Sequence, residues 1–420
     1  MIFYSMFYKT AKLLIIFITL LFSQTNWTKY ANNPVMVKTN FLTEFYAIGQ
    51  PTVIMENDTF KMWYCAAGID HRGRILYAYS VDGINWTKYQ SGAIVLNIGS
   101  AGEWDSKWLD TPEIVRTPTD YKLYYYGDVV DTFPPHSAAI GLATSANGIN
   151  WTKHPNNPIF TKGESLSWEG HWIESPAVLY DEGIYKMWYT GVPYDWRIRI
   201  GYATSPDGVV WTKYPNNPVL DVGAPGSWDD MWVAVPAVIK RNNRFEMWYS
   251  ALSEADIATG RYDTIRIGFA TSYDGVNWTK YPEPVLTTLT PPHNPAVDSN
   301  GPWAPDVVFD GTNYRMWYET AAGFCYATAP LSVMESALQT VLSTVKISPN
   351  PFRNLTVINC AGRFRFKIYD VSGRLLRTLT GQDRIVWDGK NEHRQKLQSG
   401  IYFGVLQSRG YKQTYKLVIY

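Results

Sequence analysis

One phrase recurs along this chain: "NWTKYANNPV" from Asn26, "INWTKYQSGAIVL" from Ile84, "INWTKHPNNPIF" from Ile149, "VWTKYPNNPVL" from Val210 and "VNWTKYPEPVL" from Val276. Self-similarity at long period restricts a chain to architectures in which one supersecondary unit is stacked on copies of itself. A complete unit begins at Ser175. It runs from a proline-led segment, "SPAVLY", through "YKMWYT" and "IRIGYATS" to a "PDG" turn and "VVWTKYPNNPVL". The alternation and the β-branched and aromatic residues predict four short strands, and Asp-Gly or Asn-Gly between the last two predicts a hairpin. Helical periodicity is absent.

The leading prolines are Pro51, Pro112, Pro176, Pro236 and Pro305, at intervals of 61, 64, 60 and 69 residues, so there are five units. The fifth, "APDVVFDGTNYRMWYETAAGFCYATAP", stops after its third strand at Pro330. Its missing words stand at Asn26. The N-terminal segment is therefore expected to pair with the fifth unit and close a ring, as propellers do to hide their edges. At 420 residues the chain exceeds the usual limit of a single core, and the composition changes after the fifth unit. The expected fold is all-β: a five-bladed β-propeller over 25–332 closed by the N-terminal strand, a linker over 333–345, and a small β-sandwich over 346–420.

With 38 basic against 37 acidic residues and no Lys/Arg run, nothing marks the chain for nucleic acid or an anionic membrane surface. Lys9 and Lys12 precede an apolar run from Leu13 to Phe22, the layout of a secretory signal peptide over 1–24 and too short for a bilayer span. Cys65, Cys325 and Cys360 are odd in number and far apart, which predicts buried thiols rather than disulfides or metal ligands.

From "ISPNPF" through "YDVSGR" and "SGIYF" to Tyr420, the tail resembles the C-terminal sorting domain of type IX secretion substrates. The resemblance implies an immunoglobulin-like sandwich, export to the cell surface or beyond, and the secretion machinery as a partner. The propeller half, with its five units, its "ATSPDGVVW"-type turns and acids beside the leading prolines, resembles the five-bladed glycosidase superfamily that includes glycoside hydrolase families 32, 43 and 130. That resemblance implies a carbohydrate substrate and no cofactor, with an axial structural calcium the one metal the superfamily allows. Asp82, Asp207 and Asp274 are expected to form turns.

In a propeller the first strands surround the axis, so residues just before the leading prolines converge. They read "WLDTP" with Asp110, "WIESP" with Glu174, "WVAVP", "GPWAPD" with Asp306, and "AIGQP" with Gln50. Carboxylates near an axis are costly to bury without a task. Glycoside hydrolysis needs two, one protonated to assist the leaving oxygen and one ionised. Glu174 matches the superfamily's third-blade acid and is the expected general acid. Asp110 resembles the second-blade Asp that raises its proton affinity. Where the family places a first-blade Asp this chain has Gln50, so Glu44, Asp70 or Asp306 replaces it, or the propeller binds sugar without cutting it. Trp108, Trp172, Trp232 and Trp303 either stack on sugar faces or pack between repeats, and His171 either hydrogen-bonds substrate or is structural. Trp104, Trp168 and Trp228 are expected to be structural.

Overall fold

The computed structural model describes residues 26–129, 138–330, 345–408 and 411–420. The expected signal peptide and most of the expected linker lie outside these residues. The described residues form two compact units, 26–330 and 345–420.

In the first unit every repeat supplies antiparallel strands in sequence order. The first strands are Ala47–Glu56, Trp108–Arg116, Trp172–Asp181, Trp232–Arg241 and Trp303–Phe309, and they touch one another in cyclic order, the last returning to the first. Repeats three and four make separate four-stranded sheets. Repeats one and two share a single nine-stranded sheet, joined where Gly73 pairs in parallel with Trp108. Only glycine permits that approach, because a Cβ on Gly73 would lie 2.7 Å from the Trp108 indole. The sheet of repeat five takes its fourth strand from Thr28–Lys29, with Thr28 opposite Thr328 and Lys29 opposite Ala327.

The recurring residues make recurring contacts. The lysine of each "WTK" reaches a buried or nearly buried acid: Lys88 to Glu44, Lys153 to Asp105, Lys213 to Glu169 and Lys280 to Asp229. Lys29 makes the same contact with Asp298 at 2.8 Å. Asn33 brackets the Tyr326 backbone as Asn157 brackets Leu142 and Asn217 brackets Tyr202. These acids are committed to ion pairs, so the "WD" and "WE" carboxylates are structural. Trp104 and Trp168 lie over Gly127 and Gly191, where a Cβ would come within 2.5 and 2.2 Å of the rings. Asp82, Asp207 and Asp274 each accept two backbone N–H groups of their own hairpin. The Val210 and Val209 N–H groups hold the Asp207 carboxyl below the usual carboxylate range.

Neighbouring repeats are also stitched through indoles. Trp63 Nε1 donates to Gly148 O, Trp188 to Gly275 O and Trp317 to Gly83 O, each at 2.7 to 2.8 Å. Trp248, the corresponding residue of repeat four, is buried without a hydrogen-bond partner for its Nε1 among the described residues and lies edge-on to Trp27. Trp317→Phe removes one of two indole donors to Gly83 O, which keeps Trp86 Nε1, and is expected to cost about 0.5–1.5 kcal/mol, whereas Trp248→Phe loses no such bond and should cost less. Thermal melts of the two variants check the ranking.

The second unit corrects one expectation. Its strands, Lys346–Ser348, Thr356–Tyr369, Leu375–Trp387, Gly400–Ser408 and Tyr411–Ile419, form one five-stranded sheet curled as a half-barrel, not the two facing sheets of an immunoglobulin-like sandwich. The physical reason is Thr356–Tyr369, which runs for 14 residues and pairs with strands on both sides. Its register slips between Cys360 and Arg363, letting a single sheet bend around its own core. That core holds Phe352, Phe366, Trp387 and Leu417. The three tail motifs have local jobs: Asn350 pins Val418 N, Asp370 caps the turn at Ser372 and Arg374, and the Tyr402 hydroxyl donates to Gln398 O.

Candidate functional site

The same irregularity occurs in all five first strands. The ladder register shifts between Gly49 and Thr52, Asp110 and Glu113, Glu174 and Ala177, Ala234 and Ala237, and Trp303 and Asp306. At each bulge the residue before proline has positive φ: Gln50 (54°), Thr111 (42°), Ser175 (50°), Val235 (50°) and Ala304 (48°). No glycine is used, and β-branched Thr and Val in this region are strained. The five X-Pro pairs line one pocket together with Glu113 and Asp306, enclosing about 310 Å³ of non-protein space with its open mouth.

The bulges sort the acids into two tiers. Two residues before proline stand Gly49, Asp110, Glu174, Ala234 and Trp303; one residue after it stand Thr52, Glu113, Ala177, Ala237 and Asp306. In the second tier side chains clamp the next strand: Ile114 N donates to Thr52, Val178 N to Glu113 and Val53 N to Asp306. Burial pushes Asp306 up to about 7 against the pull of the Val53 and Val307 N–H groups. Burial, followed by the charge of Asp306, pushes Glu113 well above the usual range. Asp306 thus partners Glu113, in a different tier from Glu174 and Asp110, because its carboxyl follows the proline while theirs precede it.

In the first tier Asp110 is held by Trp108 Nε1 at 3.1 Å and by Thr111 N at 2.8 Å. Burial raises its pKa and these donors oppose the rise. Glu174 is half-buried. Burial first, then the negative charge of Asp110, pushes its carboxyl up to about 7. Tyr126 completes this neighbourhood: burial raises it most, and the fields of Asp128, Glu174 and Asp110 all add to that.

The other expected residues divide. Glu44 is fully buried against Lys88 and Asp70 is clasped by Arg74, so neither replaces a first-repeat acid. Gln50 contributes its backbone N–H, which donates to Glu319 Oε2 at 3.0 Å. Trp172 is only 3% exposed and lies edge-on to Trp196, so it offers no free face to a sugar. Trp108, Trp232 and Trp303 are half-buried against the same aromatic cluster. Trp303 shares the register position of Asp110 and Glu174 rather than that of the other three tryptophans. His171 stacks on the exposed Tyr194 at 4.4 Å, on the rim of repeat three. Sequence reasoning missed Glu113 and Glu319. The offset of Glu113 after Pro112 matches Asp306 and was a usable signal; Glu319, in a second strand, carried none.

Residues 346–420 match the family described as the secretion system C-terminal sorting domain. Among curated proteins, MT1551 of Mycobacterium tuberculosis is 28% identical over 210 residues, covering 47% of this chain and 65% of that relative, so the chain spans just under two thirds of its length. Among solved structures, one from work on the GH130 family, which contains glycoside hydrolases that target β-1,2 mannosidic linkages in Candida mannan, is 19% identical with TM-score 0.57, covering 73% of this chain and 94% of that one. A thermostable family-43 glycoside hydrolase is also 19% identical, with TM-score 0.50 and coverage of 67% and 88%. Among the described residues no helix is long and apolar enough to cross a membrane. The chain is therefore a secreted or cell-surface protein whose residues 346–420 match the secretion system C-terminal sorting domain and whose preceding unit has the fold of propeller-type glycoside hydrolases.

Proposed function

We propose that residues 26–330 form a five-bladed propeller closed by its N-terminal strand, that it hydrolyses glycosidic bonds of an extracellular glycan, and that Glu174 is its general acid. The observation that carries this reading is the placement of Asp110 and Glu174 at the same register position of neighbouring first strands, where burial and then Asp110 push the Glu174 carboxyl up to about 7. A carboxylic acid can protonate a departing sugar oxygen near neutral pH only if its pKa is lifted into that range. Asp110 supplies part of the lift, and Trp108 holds Asp110 in place. The ring of first-strand contacts, the pairing of Thr28 with Thr328 and the Lys29–Asp298 ion pair support the closed ring.

The test is Asp110→Asn assayed on a panel of 4-nitrophenyl glycosides, oligosaccharides and plant and yeast polysaccharides. Glu174 must be protonated to act, so activity falls as pH rises through its pKa. Removing the Asp110 charge lowers that pKa, and the basic limb of kcat/KM moves to lower pH, each unit corresponding to about 1.4 kcal/mol. An unmoved limb would separate Asp110 from the acid. The rival reading is a glycan-binding propeller without turnover, which the Gly49-Gln50 pair favours because the first repeat brings no carboxylate to this tier. Sugar binding with no hydrolysis across the panel would select it.

A further inference from the structure

Position 49 is the place where repeat one should contribute what Asp110 and Glu174 contribute in repeats two and three, and it is a glycine. The space is not empty. A Cβ built on Gly49 would lie 2.8 Å from Glu319 Oε2, 3.2 Å from its Cδ and 3.3 Å from its Oε1. The carboxylate of Glu319, from the second strand of repeat five (Asn313–Thr320), therefore stands where a side chain at 49 would begin. We propose that Glu319 is the second catalytic carboxylate of this site, replacing in space the acid that repeat one lacks.

A purely structural duty can be assigned to this position, and it falls short of explaining a glutamate. Second-strand residues of repeats three and four hold the pre-proline N–H of the following repeat: Thr190 accepts from Val235 N at 2.9 Å and Ser250 from Ala304 N at 3.0 Å. Glu319 does the same for Gln50. A hydroxyl suffices for that bond, without the desolvation cost of a carboxylate. Glu319 Oε1 is bound by no donor among the described residues, and no cation pairs with the group there. Burial pushes its carboxyl up to about 7, with the Gln50 N–H opposing and the Asp110 charge adding. Asp110 thus acts on both Glu174 and Glu319.

This proposal rests on the glycosidase reading. In the step, an oxygen lone pair of water forms the new bond to the anomeric carbon while the bond from that carbon to the leaving oxygen breaks. Glu319, ionised, takes the proton of the water. Glu174, protonated, gives its proton to the leaving oxygen, and exchange with solvent resets both. Glu319 stands at the place of repeat one and Glu174 in repeat three, with Asp110 of repeat two acting on both; inversion through an intervening water needs about 6.5–9.5 Å between the two carboxyls.

The experiment uses the full chain with Glu319→Ser, which keeps an acceptor for Gln50 N as Ser250 does for Ala304, and the double variant Gly49→Asp/Glu319→Ser. Gly49 does not have positive φ, so Asp is admissible there once Glu319 is shortened. Glu319→Ser is expected to lower kcat at least 100-fold on 4-nitrophenyl and unactivated glycosides alike, with an unchanged melting temperature and loss of the acidic limb of the pH profile. The double variant or added azide should restore at least 10-fold. Glu174→Gln instead spares the activated substrates. Full activity of Glu319→Ser on unactivated glycosides that Glu174→Gln no longer cleaves overturns the role of Glu319 and leaves the glycosidase reading standing. Loss of activity together with a lowered melting temperature and no rescue assigns Glu319 to the clasp alone. Absence of any Glu174-dependent hydrolysis overturns both.

Discussion

Glu174→Gln is expected to lower kcat on unactivated glycosides by roughly 100- to 10,000-fold, the span that a positioned general acid contributes. The amide keeps the shape of the carboxyl and cannot deliver a proton. Glycosides with a 4-nitrophenolate leaving group need little protonation and should lose far less. Sugar affinity, read by quenching of tryptophan fluorescence or by calorimetry, should stay within a few-fold of the parent. The pH profile adds a sign. Because burial and Asp110 lift Glu174 to about 7, the wild-type basic limb belongs near that value and should vanish on the activated substrates in Glu174→Gln. Equal losses on both substrate types would instead implicate Glu174 in shaping the site.

Lys29→Met is expected to destabilise the first unit by about 3–5 kcal/mol, the cost of leaving one member of a buried ion pair alone. The Lys29 and Asp298 side chains are only 2% and 3% exposed, and Lys29 also donates to Thr288 O at 2.8 Å. Asp298 keeps Asn294 N and the half-exposed His293, too little to replace an ammonium group. Deleting residues 26–35 goes further. It removes the fourth strand of the repeat-five sheet, the Trp27 ring lying against Trp248 and the two bonds between Asn33 and the Tyr326 backbone. The cooperative thermal transition of that unit should disappear. Lys29→Met/Asp298→Asn should recover part of the loss, because no charge is then stranded. A deletion variant that melts like the parent would refute the role of the N-terminal segment.

Much of the architecture is legible in the residues because the repeat writes the same local physics five times. Pro, Asp-Gly and Asn-Gly fix turns, "MWY" alternation fixes strands, and the words at Asn26 name the sheet in which they belong. The tail motifs were legible as a sorting domain, but its half-barrel form was not, since one long bulged strand and two strands in separate sheets present the same alternation. Glu174 and Asp110 stood out as candidates because a repeat that keeps its backbone constant makes an acid at a position held by Ala in another repeat conspicuous. The tiers could not be found. A bulge at each X-Pro pair sends a residue two before proline and a residue one after it to different neighbours, so Asp306, equally acidic and equally near its proline, pairs with Glu113. Nor could Glu319 be read, for its significance depends on a void at Gly49, 270 residues earlier in the chain. The sequence by itself determined the strands, the turns, the partner of the N-terminal segment and the acids on offer, since these follow from local conformational preference and periodicity. Only the tertiary structure decided which carboxylates meet, because that depends on how strands from different repeats converge and on which side chain enters the space another leaves open.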